Sequence, residues 1–289
     1  MPELPEVETV KLGLSPVMSG QKIVFCEQRR LNLRWQLPEN MAERISGCRV
    51  ISLERRSKYL LINLDSYETL LVHLGMSGRL LVLHDYSHTT TELAKFNHKT
   101  HGNGRHDHVI FTMESGKRVI YNDPRRFGAM DLVDTIKLQS HPWIFNLGPE
   151  PLGEDFSAVY LFEKFRKRKS TVKSALMDQK IIAGLGNIYV LEALWKAGIS
   201  PRCKASKLSY RRVQKLANAI IEILNYAIQL GGSSLQDFRN VGGDLGYFQN
   251  KLNVYGRETD LCRKEDCSGI IKRIKQLGRS SFYCTKCQR

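Results

Sequence analysis

The hydrophobic period of this chain changes near residue 150, and that change restricts the folds open to it. From about residue 20 to 135 the apolar residues come in short runs. They are Lys22-Ile23-Val24-Phe25, residues 48–53, Tyr59-Leu60-Leu61-Ile62, Leu70-Leu71-Val72, Leu80-Leu81-Val82-Leu83, Val109-Ile110-Phe111 and Val119-Ile120-Tyr121. Turn residues separate them, as at Asp65-Ser66, Glu114-Ser115-Gly116 and Asn122-Asp123-Pro124. Short strands at this spacing predict an antiparallel sandwich or barrel. A Pro- and Gly-rich stretch, 141–153, reads as a linker. Beyond it the period is helical. Ser157 can cap a helix to about Arg166, and further helices are expected over 172–178 and 187–197. The clearest spans 210–230, where Val213, Leu216, Ala217, Ile220, Leu224, Ala227 and Ile228 share one face. Ser209 suits its N-cap and Gly231 its stop. One more helix is expected over 3–14, ended by Ser15-Pro16. The fold class is therefore α+β, and 289 residues suit two domains.

Seven cysteines are present, and four fall in the last 28 residues as Cys262-x4-Cys267-x16-Cys284-x2-Cys287. Two close pairs of thiolates can surround one Zn²⁺ tetrahedrally, which closes the site to chemistry and makes the ion structural. The stretch between the pairs reads as a β-hairpin around Leu277-Gly278, with Arg279 beside its turn. Cys26, Cys48 and Cys203 are scattered and read as ordinary thiols.

Forty-four basic residues stand against 29 acidic ones, a net charge of +15. That excess implies a polyanionic partner, DNA or RNA first. No apolar run is long enough to span a bilayer, no basic anchor helix stands out, and no secretory signal precedes the first strand. These features predict an intracellular protein without a membrane partner.

Several short motifs can carry chemistry, and each has a plain structural alternative. Met1-Pro2-Glu3 places a small residue second, so removal of Met1 would expose Pro2 as a secondary amine beside an acid. The alternative is a frayed acidic terminus. Gly184-Leu185-Gly186-Asn187 opens a helix whose N–H groups favour an anion. Equally, Asn187 could simply cap that helix. Met76 and Phe127 sit on tight turns, Leu74-Gly75-Met76-Ser77-Gly78 and Asp123-Pro124-Arg125-Arg126-Phe127-Gly128. They are either core residues at strand ends or apolar tips that enter a base stack, with Arg125 reaching a base edge. The basic run 164–173 is a solvated face or a phosphate contact. His84, His88, His98 and His101 lie in a polar segment, 84–105, that reads as a mobile surface loop.

In this order, the pieces resemble bacterial formamidopyrimidine-DNA glycosylase over essentially the whole chain. The resemblance rests on Pro2-Glu3-Leu4-Pro5-Glu6, Lys58-Tyr59-Leu60, His73-Leu74-Gly75-Met76-Ser77-Gly78 and the Asp123 to Gly128 turn. It also rests on Leu185-Gly186-Asn187-Ile188-Tyr189, Gly246-Tyr247-Phe248, Val254-Tyr255-Gly256-Arg257 and the four terminal cysteines. It implies a catalytic β-sandwich over 1–140, a linker over 141–153, a helix–two-turn–helix region over 154–250 and a zinc finger over 251–289. The implied enzyme removes oxidised purines from double-stranded DNA, flips the damaged nucleotide out, and cuts the abasic site by β,δ-elimination. Pro2 would be the nucleophile and Glu3 the general acid, with Lys58 assisting base removal. Met76, Arg125 and Phe127 would fill the vacated stack. His73, Asn187, Tyr247 and Arg279 would hold the DNA backbone, with Arg279 also counted among the catalytic residues, and Lys173, a further DNA contact, matches a lysine linked to damaged-base processing. Residues 231–245 match a loop that closes over the extruded base. One zinc, no membrane, a monomer and a bacterial cytoplasm with nucleoid association complete the expectation.

Three departures stand out. The first cysteine pair is spaced by four residues rather than two, segment 84–105 is long, and Gln236 stands where some members have Lys. Two other readings compete. Endonuclease VIII shares the Pro-Glu start but prefers oxidised pyrimidines; Leu4 and the Met76, Arg125 and Phe127 trio argue against it. A non-catalytic zinc-finger DNA-binding protein would explain the charge and the cysteines, but not Pro2-Glu3 or Lys58.

Overall fold

The structure is a computed structural model that describes residues 2–83, 104–233, 241–242 and 246–289. Nearly all of the His-rich segment therefore lies outside the described residues, as do 234–240 and 243–245, with Gln236 among them. The chain divides into two compact units. One holds 6–144 with 231–246, and the other holds 3–5, 145–230 and 247–289; Pro2 goes with the first.

In the first unit, helix α1 (Leu4–Met18) precedes β1 (Ile23–Gln28) and the short α2 (Met41–Ile45). Then come β2 (Val50–Arg56), β3 (Tyr59–Leu64), β4 (Glu68–His73), β5 (Arg79–Leu83), β6 (Asp107–Met113), β7 (Arg118–Asn122) and β8 (Ala129–Asp134). Two four-stranded antiparallel sheets result, in the orders β1-β6-β7-β5 and β2-β3-β4-β8. Leu60, Ile62, Leu70, Val72 and Met130 from one sheet share a buried core with Ile23, Leu80, Val109, Phe111 and Val119 from the other. This is the sandwich that the short apolar runs predict.

Two local readings need correction. Strand β8 is not among the apolar runs, because Asp131 and Asp134 dilute its pattern. Its pairing with β4 from His73↔Ala129 to Glu68↔Asp134 supplies what its composition does not. Helix α1 runs through Pro16 to Met18 rather than stopping at Ser15. Proline removes one N–H donor, yet Pro16 faces solvent, while Val17 and Met18 are buried. Their burial offsets the lost hydrogen bond.

The second unit carries α3 (Ala158–Phe165), α4 (Val172–Met177), α5 (Asn187–Lys196), α6 (Tyr210–Gln229) and the hairpin β9 (Ile271–Gln276) with β10 (Arg279–Cys284). Ser157 Oγ accepts from the Tyr160 N–H, as a cap should. Ser209 makes no such side-chain bond; its carbonyl instead accepts from the Arg212 and Val213 N–H groups. The apolar face of α6 packs with α3 and α5 residues in one core. Glu192, fully buried on α5, accepts from the N–H groups of Asn253, Val254 and Tyr255 and from the Asn253 side chain. That carboxylate fixes the chain that enters the cysteine-bearing segment.

Candidate active site and nucleic-acid interface

In the sandwich unit, the β4–β5 and β7–β8 connections both pass from one sheet to the other. Because His73 pairs with Ala129 and Arg79 with Asn122, the two connections run side by side. The first carries Met76, 37% exposed, and the second carries Arg125 and Phe127, the latter 43% exposed. The Arg125 guanidinium lies over the Phe127 ring, 4.7 Å from its centre. The backbone of Gly75 adjoins that of Phe127, so turns about fifty positions apart present exposed apolar side chains side by side, with a cation over one of them. Neither Met76 nor Phe127 is a core residue, so that plain alternative is excluded.

His73 stands at the base of the same turn. Its Nδ1 accepts from the Gly75 N–H at 3.1 Å, which leaves the ring proton on Nε2. Burial, and then the charges of Lys58 and Arg34, pull its pKa down to about 4. At neutral pH His73 is an uncharged N–H donor. Lys58, in the β2–β3 turn, reaches this neighbourhood because Tyr59 pairs with His73 across β3 and β4. The Tyr59 ring lies 5.2 Å from His73 and stacks on Trp143 at 5.7 Å, and Trp143 meets Trp35 at 5.4 Å. Sequence reasoning missed Arg34 and this aromatic support. It also missed Glu6, whose buried carboxylate accepts from the Ser233 N–H at 2.8 Å. Pro2 is buried in the same unit.

In the helical unit, the anion at the N-terminus of α5 is supplied by the chain itself. The Glu3 carboxylate accepts from the Ile188 N–H at 3.1 Å and the Tyr189 N–H at 3.5 Å. Both are N–H groups of a first helical turn, which have no intrahelical partner. A Cβ at position 186 would lie 2.3 Å from the Glu3 carboxyl carbon, so only glycine lets the acid approach. Gly186, not Asn187, is the cap residue. Asn187 turns outward from its helix, and its Nδ2 donates to the Ser280 carbonyl at 2.9 Å. Its Oδ1 is buried and has no hydrogen-bond partner among the described residues. Nδ2 keeps a second hydrogen for another acceptor.

Lys173 is not at the surface. It is 1% exposed, and its ammonium donates to Ser281 Oγ at 2.6 Å. Burial, and then the nearby Arg279, lower its pKa to about 8. It links α4 to the hairpin. Arg279 opens β10 opposite Gln276, next to a turn in which Leu277 and Gly278 both have positive φ. Tyr247 lies on a separate turn, 65% exposed. Of the basic run, Lys164, Arg166, Lys167 and Lys169 are exposed, while Arg168 pairs with Asp178.

The four terminal cysteines converge, with all four sulfurs within 4.8 Å of one another. The Trp195 indole N–H donates to Cys262 Sγ, and the Lys286 and Cys287 N–H groups donate to Cys284 Sγ. Burial opposes ionisation of Cys262, yet the hydrogen bonds it accepts bring its thiol down to about 7. Donors aimed at sulfur, and four thiols gathered at one point, fit a thiophilic cation. The wider x4 knuckle does not prevent the convergence.

Comparison with known proteins agrees with these features. The family model for the formamidopyrimidine-DNA glycosylase N-terminal domain matches residues 1–130, and the model for its H2TH domain matches 147–239. The chain belongs to the formamidopyrimidine-DNA glycosylase family. A third model, a zinc finger found in FPG and IleRS, matches 261–289, and one structural zinc held by Cys262, Cys267, Cys284 and Cys287 follows. Members of the family from Ruegeria sp. (strain TM1040) and Ruegeria pomeroyi are 57% and 54% identical over 289 residues, the full length of each chain. A solved complex of Lactococcus lactis Fpg with an abasic site containing DNA is 34% identical with a TM-score of 0.84, and covers 99% of both chains. An Fpg mutant of the same organism with a Fapy-dG containing DNA gives 0.85 over the full length of both chains. The Fpg protein of Thermus thermophilus is 32% identical with a TM-score of 0.83, covering 99% of this chain and 98% of that one.

Metal and DNA contact should fail separately in the finger. Cys284→Ser is expected to lower zinc content and weaken lesion binding while the sandwich stays folded, because the zinc supplies folding energy only to the small hairpin region. Arg279→Ala should keep its zinc, weaken DNA binding, and flatten the log Kd against log salt slope by about one unit. Metal analysis and binding titrations at several salt concentrations check both. Wild-type affinity and slope in Arg279→Ala would make the finger a structural cap.

Proposed function

We propose that this chain is a DNA-repair glycosylase and abasic-site lyase that removes 8-oxoguanine and formamidopyrimidines from duplex DNA. The observation that carries the proposal is the hold on Glu3. The acid next to Pro2 in sequence is fixed at 3.1 Å by a helix N-terminus, so its position is set before any substrate arrives.

The damaged nucleotide leaves the stack. Met76 and Phe127 take its place, and Arg125 pairs with the orphaned base edge. His73 donates from Nε2 to a phosphate oxygen, Asn187 from its second Nδ2 hydrogen, and Tyr247 and Arg279 hold the backbone nearby. Lys58 contacts the phosphate beside the lesion and assists base loss. Lys173 acts through the hairpin it braces rather than by touching DNA. The Pro2 nitrogen lone pair forms a bond to C1′ while the glycosidic bond breaks, and the base departs with that bond's electron pair and takes up the Pro2 N–H proton, which leaves the nitrogen neutral. Glu3 protonates the sugar ring oxygen, the ring opens, and an iminium joins Pro2 to C1′. Loss of a C2′ proton then expels the 3′ phosphate, and a second elimination expels the 5′ phosphate. The zinc keeps the hairpin folded and takes no part in these steps. Among the described residues no helix is long and apolar enough to cross a membrane. The setting we propose is the bacterial cytoplasm, at the nucleoid, with the protein acting as a monomer.

Borohydride trapping on duplexes containing 8-oxoguanine, formamidopyrimidine or thymine glycol tests the reading. Covalent capture with the first two is expected. Preference for thymine glycol would move the chain to the pyrimidine-specific sister enzyme. Absence of capture on any duplex would leave a DNA-binding protein without this chemistry.

A further inference from the structure

Asp123 is fully buried, and nothing in the chemistry above uses it. Its carboxylate lies between the two turns that carry Met76, Arg125 and Phe127. Oδ1 accepts from Ser77 Oγ at 2.5 Å. Oδ2 accepts from the Gly128 N–H at 2.8 Å and from the Tyr121 hydroxyl at 3.3 Å. Ser77 Oγ in turn accepts from the Arg125 N–H at 3.2 Å. Ser77 neighbours Met76, and Gly128 neighbours Phe127. One carboxylate therefore ties the neighbours of Met76 and Phe127 directly, and the Arg125 N–H through the Ser77 hydroxyl.

The main chain of Asp123 is fixed as firmly. Its N–H donates to the His106 carbonyl at 3.0 Å, and its carbonyl accepts from the His108 Nε2–H at 2.9 Å. The turns also touch directly. A Cβ on Gly75, whose φ is +67°, would lie 2.3 Å from the Phe127 carbonyl carbon, and one on Gly128 would lie 1.7 Å from the Tyr121 hydroxyl. Arg126 holds a left-handed φ of 56°, an unfavourable conformation for a side chain of its size. It persists because Asp123 and its partners fix both ends of the turn.

We propose that Asp123 is a positioning residue that locks Met76, Arg125 and Phe127 into one rigid wedge, so that gap filling costs no reordering of the tips when the damaged nucleotide leaves. The inference rests on the wedge reading above. A wedge whose parts moved independently would lose entropy on insertion into the stack. Asn at 123 keeps the size but loses the charge and one acceptor: its N–H₂ facing the Gly128 N–H sets donor against donor, and facing Ser77 it leaves only a weaker neutral bond in which the hydroxyl accepts.

The test uses the full-length zinc-bound protein and duplexes with 2-aminopurine next to the lesion, whose fluorescence reports unstacking. Asp123→Asn is expected to slow the fluorescence step and duplex 8-oxoguanine excision by about 10²-fold. Borohydride trapping on a single-stranded abasic site should persist, because a single strand has no opposed stack to fill. Ser77→Ala, which removes one link, should give a smaller loss in the same step and keeps the test decisive if Asp123→Asn melts early. Met76→Ala and Phe127→Ala serve as references. If they leave the fluorescence step unchanged, the wedge reading itself fails. If they abolish it while folded Asp123→Asn and Ser77→Ala both keep wild-type rates, the wedge stands and Asp123 does not position it. Equal losses on duplex and single strand would make Asp123 a general fold residue and overturn the inference.

Discussion

Glu3→Gln should reduce release of 8-oxoguanine from duplex DNA by about 10²- to 10⁴-fold, the range a positioned general acid contributes. Duplex affinity should stay near wild type, since the acid works in the transition state. The geometry sharpens the expectation. The two carboxylate oxygens accept from two different N–H groups, of Ile188 and Tyr189. A glutamine has one acceptor for those two donors, so a melting curve belongs beside the kinetics. Gly186→Ala gives an independent approach to the same acid. Its methyl would lie 2.3 Å from the Glu3 carboxyl carbon, so Glu3 must move while keeping its chemistry. We expect ~10² loss of excision for a displaced but intact acid. Normal turnover by Glu3→Gln would remove the residue from the mechanism. Normal turnover by Gly186→Ala would show that its placement has slack.

Blocking the Pro2 nitrogen should remove covalent capture altogether. With Met1 retained, that nitrogen is an amide, its lone pair is delocalised, and no iminium can form. Once Met1 is removed the nitrogen is a secondary amine, and the positive charge of a +15 chain favours its neutral, nucleophilic form. Pro2→Gly restores an amine but a primary, more mobile one, and trapping should fall steeply without vanishing. Mass spectrometry of the active fraction, read against borohydride capture, decides the matter. Full capture by chains that keep Met1 would require a different nucleophile.

Much of the architecture was legible because local patterning and tertiary burial agree. Seven apolar runs became strands, several of them buried on both faces, and the periodic face of 210–230 became the buried face of α6. The failures came where tertiary contacts outweighed local preference. Pro16 sits inside α1 because Val17 and Met18 have a core to enter. Strand β8 forms because β4 offers it a complete register.

The sequence alone determined the cysteine set, the excess of positive charge, the Pro2-Glu3 start and the two turns bearing Met76, Arg125 and Phe127. Residue type and spacing carry these, and no partner is needed to read them. Only the tertiary structure decided which groups serve one another. It gave the α5 N-terminus to Glu3, turned Asn187 toward Ser280, and buried Lys173 beneath the hairpin. It also made His73 a neutral donor through burial beside Lys58 and Arg34. These pairings join residues from tens to nearly two hundred positions apart. Hydrogen-bond geometry and desolvation depend on distance in space, and a one-dimensional pattern contains neither.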